Sequence, residues 1–223
     1  GTATSRMITL KAPISTSALW LAPRLPKFRH MHPDIELRLV SNIWTDATGF
    51  EDVDVELRVG RGDWTDTPSE KLSDEYLVPI CGIDLAKTVT RPEDLQNGPL
   101  IRILGQEADW GRYFAAHEIA MPTGVSEYFV DTMTAAIELA AIGGGYAVVI
   151  KRLVDMANAA RPRVGVVGEA FPIPNAHYLM RPRSKRSKRP EVLLFENWLR
   201  EEFSEDAVFE SLIGSPENIQ THL

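Results

Sequence analysis

The sequence predicts an α/β protein, because segments rich in strand-forming residues alternate with segments of helical periodicity along most of the chain. The composition agrees, with 44% hydrophobic and 25% charged residues, which is ordinary for a globular protein. A length of 223 residues allows one large domain or two lobes of about 100 residues each. No stretch reaches the roughly 18 to 20 apolar residues that a membrane span needs, so we expect a soluble protein without a membrane partner.

The first elements follow the order strand, helix, strand, strand. Residues 7–12 alternate and are rich in strand formers, and residues 15–32 have helical spacing with serine hydroxyls at the start. Strands are predicted at residues 35–40 and 53–59. This order is typical of a parallel sheet with helices on its faces.

The same alternation continues to about residue 203. Strands are predicted within residues 74–83, at a segment that ends near 103, and at 125–130, 146–150, 164–167 and 177–180. Helices are predicted at 109–117, 131–142, 151–160 and around 192–203. Beyond residue 203 the sequence predicts a polar tail with one helical turn at most.

Charge and cysteine content restrict the function classes. The net charge is −7, with 31 acidic against 24 basic residues, which disfavours nucleic-acid binding by most of the surface. Six of the nine residues in RPRSKRSKR, at 181–189, are basic, and they form either a solvated connector or a weak nucleic-acid patch. Cys81 is the single cysteine, so no intramolecular disulfide is possible, which fits the cytosol. The N-terminus has no signal-peptide core, although a trimmed secreted form remains open.

The stretch VGRGDWTDTP, at residues 59–68, follows a predicted strand and contains two glycines, an arginine and a tryptophan. It fits a phosphate-binding loop, an Arg-Gly-Asp adhesion tripeptide or a loop that faces a ligand, since Gly60 and Gly62 allow φ values that other residues avoid. Adhesion requires extracellular exposure, which nothing else in the sequence supports.

Other motifs have a structural interpretation beside the functional one. Gly143 to Gly145 follow a helix and precede a strand, which is the reverse of a phosphate loop and favours a helix C-cap. His30 and His32 lack a second ligand set, so no metal site is predicted. Cys81 lies in an apolar run where a thiol behaves as a small hydrophobe. No catalytic set of residues is visible, so the sequence predicts no enzyme.

Ser15 to Ser17 follow the first strand and open the first helix. Hydroxyls and free amides at such a helix N-terminus can hold a carboxylate, or they can simply cap the helix. Both interpretations stay open from the sequence.

Several segments together closely resemble the effector-binding domain of LysR-type transcriptional regulators, above all those of the glycine-cleavage-activator and β-lactamase-regulator branch. They include LKAPISTSALWLAPRLPKFRHMHPDIELRLV, EDVDVELRVGRGDW and DTMTAAIELAAIGGGYAVV. The resemblance covers about residues 7–203, and its specific part is the WLxPRLxxFRxxHPxIxLRL pattern combined with a GxGxW loop.

The resemblance implies a type II periplasmic-binding-protein-like fold, in which two Rossmann-like lobes are joined by two crossover strands and hold an effector between them. Lobe I would comprise residues 1–78 and 179–223, and lobe II residues 79–178, with crossings near 77–80 and 177–180. The family's N-terminal winged helix-turn-helix DNA-binding domain is expected to be absent from this chain.

The resemblance also implies the partners. The parent protein would bind DNA in the cytoplasm as a homodimer or homotetramer, and effector occupancy would change the subunit arrangement. We expect an antiparallel dimer in which the first helix and IELRLV of one subunit meet lobe II of the other. Leu21, Leu37 and Leu39 would supply apolar contact surface.

The expected effector is a small polar or anionic molecule, such as an amino acid or organic acid, bound without chemical change, metal or cofactor. The site residues that the resemblance suggests are Ser15, Thr16, Gly60, Arg61, Thr132, Met133 and His177, and Arg102 is a candidate cationic partner. His177 falls where the β-lactamase regulators have a cleft tyrosine, so the same ligand need not bind, and Arg102 could instead point to solvent. A periplasmic-type solute-binding protein and a small α/β enzyme remain as alternatives.

Overall fold

The computed structural model of the chain describes residues 6–41, 53–105, 108–181 and 188–213. The strands are β1 Arg6–Ala12, β2 Ile35–Ser41, β3 Val55–Gly60, β4 Ser69–Lys71, β5 Glu75–Gly82, β6 Leu100–Ile103, β7 Glu127–Val130, β8 Tyr146–Ile150, β9 Val164–Val166, β10 Phe171–Ile173 and β11 Ala176–Met180. The α-helices are α1 Leu25–Met31, α2 Ile83–Ala86, α3 Ala108–Ala116, α4 Met133–Ala141, α5 Lys151–Asn158 and α6 Pro190–Ile213. A 3₁₀ turn lies at Pro92–Asn97.

The first of two compact units contains the described residues of the ranges Gly1–Pro13, Arg24–Asp74 and Pro174–Leu223. Its sheet has five strands in the order β2-β1-β3-β11-β4. β1 runs parallel to both β2 and β3, which confirms the parallel opening predicted from the sequence. β11 pairs antiparallel with β3 and with β4.

The core of this unit lies where α1 and α6 pack together. The ring of Phe28 on α1 is fully buried, and it lies 5.0 Å from the ring of Phe195 and 5.3 Å from that of Trp198, both on α6. Phe203, about two helical turns beyond Phe195, is 1% exposed. Aromatic burial of this kind contributes about 1.5 to 3 kcal/mol per side chain and fixes both helices on the unit.

The second unit contains residues Ile14–Pro23 and Glu75–Ile173. Its main sheet has the strand order β10-β5-β8-β6-β7, and β9 also pairs with β5. β8 is buried at every position, as its apolar sequence YAVVI predicts for a central strand. The described strands thus form two separate sheets, one of five and one of six strands. A single continuous sheet would have contradicted the expected two-lobed fold.

The boundaries of the units differ from those expected. The second unit begins at Glu75 and ends at Ile173, so β5 and β11 each lie wholly within one sheet and contain no crossing point. In addition, Ile14–Pro23 clusters with the second unit, although it was expected in lobe I. A resemblance in sequence gives the order of segments, whereas the contacts decide which core each segment joins.

The single helix expected over residues 15–32 is wrong in detail. The segment forms a π-helical turn at Thr16–Leu21, a 3₁₀ turn at Ala22–Arg24 and then α1. The N–H of Ala22 donates to the carbonyl of Ser17, which is the longer hydrogen bond of a π turn. Pro23 and Pro26 have no backbone N–H to donate, so one regular α-helix over residues 15–32 would lose two of its hydrogen bonds. Pro26 is tolerated in the first turn of α1, where its N–H would have no partner within the helix.

The last helix is longer than the sequence suggested. α6 continues to Ile213, ten residues beyond the point where a polar tail was expected. Carboxylates of α6 form ion pairs with α1 and with the residue before it. Nη2 of Arg24 lies 3.0 Å from a carboxylate oxygen of Asp206, and Nζ of Lys27 lies 2.6 Å from one of Glu202. These partners are distant in sequence, so a local pattern did not show that the helix would continue.

No helix in the described ranges is long and apolar enough to cross a membrane.

Candidate functional site

The loop at residues 60–64, called here the Arg61 loop, is crowded by the protein's own aromatic rings. A Cβ atom at Gly60 would lie 2.7 Å from Cζ2 of Trp64, and one at Gly62 would lie 2.6 Å from the hydroxyl oxygen of Tyr178. Gly62 also has φ of +78°, a conformation that side chains rarely adopt. The glycines therefore make room for the rings of Trp64 and Tyr178.

The rings of Trp64 and Tyr178 pack against each other, and Tyr178 also forms a hydrogen bond with the loop backbone. Their rings meet edge to face, with centroids 5.3 Å apart and an interplanar angle of 81°, a favourable aromatic arrangement. The Tyr178 hydroxyl donates to the carbonyl oxygen of Arg61 at 3.3 Å. On strand β3, the guanidinium carbon of Arg58 lies 5.6 Å from the Trp64 ring centroid, which allows a cation–π contact.

Arg61 itself is exposed at the tip of this loop. Within residues 6–41, 53–105, 108–181 and 188–213, its guanidinium has no ion-pair partner, whereas Arg58 pairs with Glu56 at 2.8 Å. A guanidinium offers five N–H donors in a planar fork that matches a carboxylate. Arg61 is therefore the candidate residue that the structure leaves available to an anion.

Ser15 and Thr132 cap one helix together. The Ser15 hydroxyl accepts from the backbone N–H of Thr134 at 3.0 Å and from the Thr134 hydroxyl at 2.9 Å. The Thr132 hydroxyl accepts from the N–H of Ala135 at 3.1 Å. Both hydroxyls thus satisfy free N–H groups in the first turn of α4, as helix caps do.

The lobe bounds expected from the resemblance would place Ser15 in lobe I and Thr132 in lobe II. Ile14–Pro23 and α4 belong to the same unit. Ser15 was also expected to cap its own helix, but its side chain makes no capping hydrogen bond there. The Ser15 hydroxyl instead accepts from a first-turn N–H of α4, that of Thr134, which is 119 residues away in the sequence.

Three further candidate residues lie in the core. Thr16 is 2% exposed, Met133 is 5% exposed and His177 is 0% exposed. The sulfur of Met133 accepts from the N–H of Ile150 at 3.4 Å, and the His177 ring lies 5.3 Å from that of Phe203. In this structure the three side chains are therefore buried, and those of Met133 and His177 contact neighbouring groups of the chain.

Arg102 on β6 is already paired. Its Nη1 lies 3.0 Å from a carboxylate oxygen of Glu127 on the neighbouring strand β7, and the two side chains are 22% and 30% exposed. The sequence analysis considered a ligand contact or a solvent-facing side chain for Arg102. In the structure, Arg102 forms a partly buried ion pair between two neighbouring strands.

The glycine and cysteine motifs have structural roles. The N–H groups of Gly143 and Gly144 donate to the carbonyls of Ala140 and Leu139, both at 2.9 Å, which confirms the predicted C-cap of α4. Burial of Cys81 raises its thiol pKa to about 11, so the thiol is neutral at pH 7.

No three His, Cys, Asp or Glu side chains in the described part of the chain are grouped so that they could hold a metal ion. Of the basic stretch, residues 182–187 lie outside the described residues. Its described ends are ion-paired, with Arg181 3.1 Å from Glu70 and Arg189 2.9 Å from Asp54.

Sequence reasoning missed the roles of Trp64, Tyr178 and Thr134. The tryptophan in the GxGxW pattern was a visible signal, but its ring partner on β11 is 114 positions away and only the fold brings the two together. Thr134 gave no signal, because a threonine inside a predicted helix is unremarkable.

Comparison with known proteins gives the family. The family model described as the LysR substrate binding domain matches residues 1–204. The chain is 34% identical over 140 residues to the HTH-type transcriptional activator AmpR of Rhodobacter capsulatus, a match that covers 62% of this chain and 48% of that protein. It is 32% identical over 206 residues to the HTH-type transcriptional regulator PerR of Escherichia coli K12, covering 90% of this chain and 67% of that protein.

A solved structure agrees with these sequence matches. The effector domain of the transcriptional regulator AmpR of Pseudomonas aeruginosa superposes with a TM-score of 0.78 at 25% identity, covering 93% of this chain and 99% of that one. The curated relatives are longer, and the matches span about half to two thirds of their length. The family and these relatives are transcriptional regulators, neither enzymes nor solute-binding proteins. With the two α/β sheets described above, these matches show that the chain belongs to the LysR substrate-binding-domain family.

Proposed function

We propose that this domain senses a small polar or anionic molecule, such as an amino acid or organic acid, and binds it without chemical change. The observation that carries the proposal is the family match over residues 1–204. Within the site, the exposed Arg61 supports an anionic effector, because its guanidinium lacks an ion-pair partner among the described side chains. Ser15 and Thr132 hold the start of α4 in this proposal, with their hydroxyls bonded to its N–H groups.

Calorimetric titration tests this proposal. The purified domain is titrated with the twenty amino acids and with linear mono- and dicarboxylic acids of two to six carbons. We expect at least one acid to bind more tightly than about 1 mM. If every compound binds more weakly than that, the proposed ligand class is wrong.

We propose further that the longer parent protein acts in the cytoplasm, binds DNA through a separate domain, and responds to the effector by changing its subunit arrangement. The net charge of −7 supports this division, since an acidic domain is a poor surface for DNA. An effector can produce such a change only if it binds two conformations with different affinity. Operator binding by the parent protein, measured with and without the acid found above, tests the link. Identical operator affinity and identical footprint in both states would contradict it.

The oligomer that we propose is a homodimer or homotetramer in which α1 and β2 of one subunit meet the second unit of another. β2 and β7 are edge strands of their sheets. Leu37 and Leu39 on β2 are half-buried, and Tyr128 and Phe129 on β7 are 46% and 57% exposed. Leu21, which was also expected at the interface, is only 1% exposed and belongs to the core.

Sedimentation equilibrium tests the oligomer. Phe129→Asp should shift the domain toward monomer, because a charge on an apolar contact is unfavourable. Ile142→Asp is the control, since Ile142 is an 81% exposed apolar residue that is not part of either edge strand. A wild-type domain that stays monomeric at high concentration would contradict the proposal.

A further inference from the structure

The Arg61 loop combines a fixed backbone with an exposed charged side chain. Its backbone is held at three points: Gly60 against the Trp64 ring, Gly62 against the Tyr178 ring, and the Arg61 carbonyl by the Tyr178 hydroxyl at 3.3 Å. The side chain of Arg61 nevertheless extends into solvent. A loop that merely connects β3 to β4 does not require such restraint around an exposed residue.

The restraint comes from Trp64, Tyr178 and Arg58, which are not among the site residues that the sequence suggested. Trp64 is half-buried, with the Tyr178 ring centroid 5.3 Å and the guanidinium carbon of Arg58 5.6 Å from its ring centroid. Arg58 is oriented in turn by Glu56 at 2.8 Å. Tyr178 stands on β11, whose register pairs it with Arg58 on β3, so the sheet itself sets the position of the phenol.

From this geometry we propose that Trp64 and Tyr178 form a brace that presets the Arg61 backbone and so presents the guanidinium to the carboxylate of an anionic effector. Tyr178 is a positioning residue in this scheme, and Arg61 makes the contact. Preset geometry strengthens binding because less conformational freedom is lost when the ligand arrives. The carboxylate role rests on the proposed function above, whereas the brace is a property of the loop alone.

Hydrogen exchange tests the brace without any ligand. Tyr178→Phe removes the hydroxyl that donates to the Arg61 carbonyl and keeps the ring against Gly62 and Trp64. We expect amide exchange over residues 60–64 to accelerate about 3- to 10-fold, the effect of one lost hydrogen bond. Tyr76→Phe, at a 37% exposed tyrosine of the second unit, is the control and should leave this loop unchanged. Unchanged exchange in Tyr178→Phe would overturn the brace.

Calorimetry with a matched ligand pair tests the presentation of Arg61. The probes are the tightest acid of the panel named above and its primary amide, which has the same shape without the charge. Arg61→Gln should weaken acid binding about 10- to 100-fold and amide binding little. Tyr178→Phe should weaken the acid about 3- to 10-fold and reduce the preference for acid over amide, which a general loss of stability would not do. Arg161→Gln, at another exposed arginine, is the control.

The outcomes separate the two proposals. If no acid binds the wild-type domain, the proposed function and the carboxylate role both fail, while the exchange measurement still decides the brace. If an acid binds the wild type and Arg61→Gln equally well, the proposed function stands and the assignment of Arg61 is overturned. A melting temperature of Arg61→Gln equal to that of the wild type confirms that the affinity change is not a folding defect.

Discussion

The hydroxyl of Ser15 accepts a hydrogen bond from the backbone N–H of Thr134, 119 residues further along the chain. The Thr134 hydroxyl donates to the same oxygen at 2.9 Å. The contact ties the segment before the π-helical turn to the first turn of α4, where Thr132 caps the next N–H. A residue that looked like an effector contact in the sequence thus completes a helix N-terminus.

Ser15→Ala should therefore destabilise the domain even when no ligand is present. Loss of an N-cap side chain costs about 0.5 to 2 kcal/mol, because a helix N–H loses its acceptor. Urea unfolding followed by circular dichroism measures the change in the free energy of unfolding. Ser126→Ala, at an exposed serine in the same unit, is the control and should change it little. Equal stabilities of the two variants would mean that water replaces the Ser15 hydroxyl without cost.

Gly62→Ala should be more harmful than Gly124→Ala. Both glycines have positive φ, +78° and +71°, so both substitutions strain the backbone. A methyl group at Gly62 additionally meets Tyr178, whereas none of the described atoms lies within 4 Å of one at Gly124. We expect Gly62→Ala to cost about 1 to 3 kcal/mol more in unfolding free energy, the usual penalty of overpacking. Tyr178→Ala should relieve part of that excess in the double variant, and its failure to do so would contradict the predicted clash.

The ion pair of Glu75 with Arg152 should be far more important for stability than an exposed one. Its atoms lie 2.9 Å apart, and the two side chains are 2% and 4% exposed. Removing one member leaves a buried charge, so Glu75→Gln should cost about 3 to 5 kcal/mol. The pair of Glu138 with Arg163 is 56% and 27% exposed, and Glu138→Gln should cost about 0 to 1 kcal/mol. Similar urea midpoints for the two variants would refute this difference.

Cys81 should be unreactive until the domain unfolds. The thiol is fully buried, and burial raises its pKa from 9.0 to about 11, so almost none of the nucleophilic thiolate is present at pH 8. A colorimetric disulfide reagent should therefore modify Cys81 slowly in buffer and fast in concentrated urea. Rapid modification of the folded domain at pH 8 would show that the thiol is accessible.

The same pKa shift predicts how stability depends on pH. Below pH 9 the thiol is protonated in the folded and the unfolded chain alike, so it does not alter the pH dependence there. Between pH 9 and about 11 the unfolded chain releases the proton while the folded chain keeps it, so stability should fall with rising pH. Cys81→Ala should lose this component of the alkaline pH dependence, and an unchanged alkaline profile would contradict it.

Local patterns were enough to predict the α/β class and the order of most elements. Helical and strand periodicity depend on residues two to four positions apart, so β1, β2, β3 and their parallel relation could be inferred from the sequence. The C-cap of α4 at Gly143 was predictable for the same reason, since the capping groups are neighbours in the chain. The resemblance carried by longer motifs then indicated the family.

Only the tertiary structure decided what the candidate site residues touch. Ser15 bonds to Thr134, Gly62 meets Tyr178, and Leu21 is buried in a core instead of lying at an interface. Each of these outcomes depends on a partner that is distant in sequence, and the identity of a residue does not specify its partner. The sequence by itself therefore determined the α/β class, the order of most elements and the resemblance to the family. The folded chain determined which hydroxyls cap a helix, which glycines make room for a ring, and that Arg61 is the exposed cation of its loop.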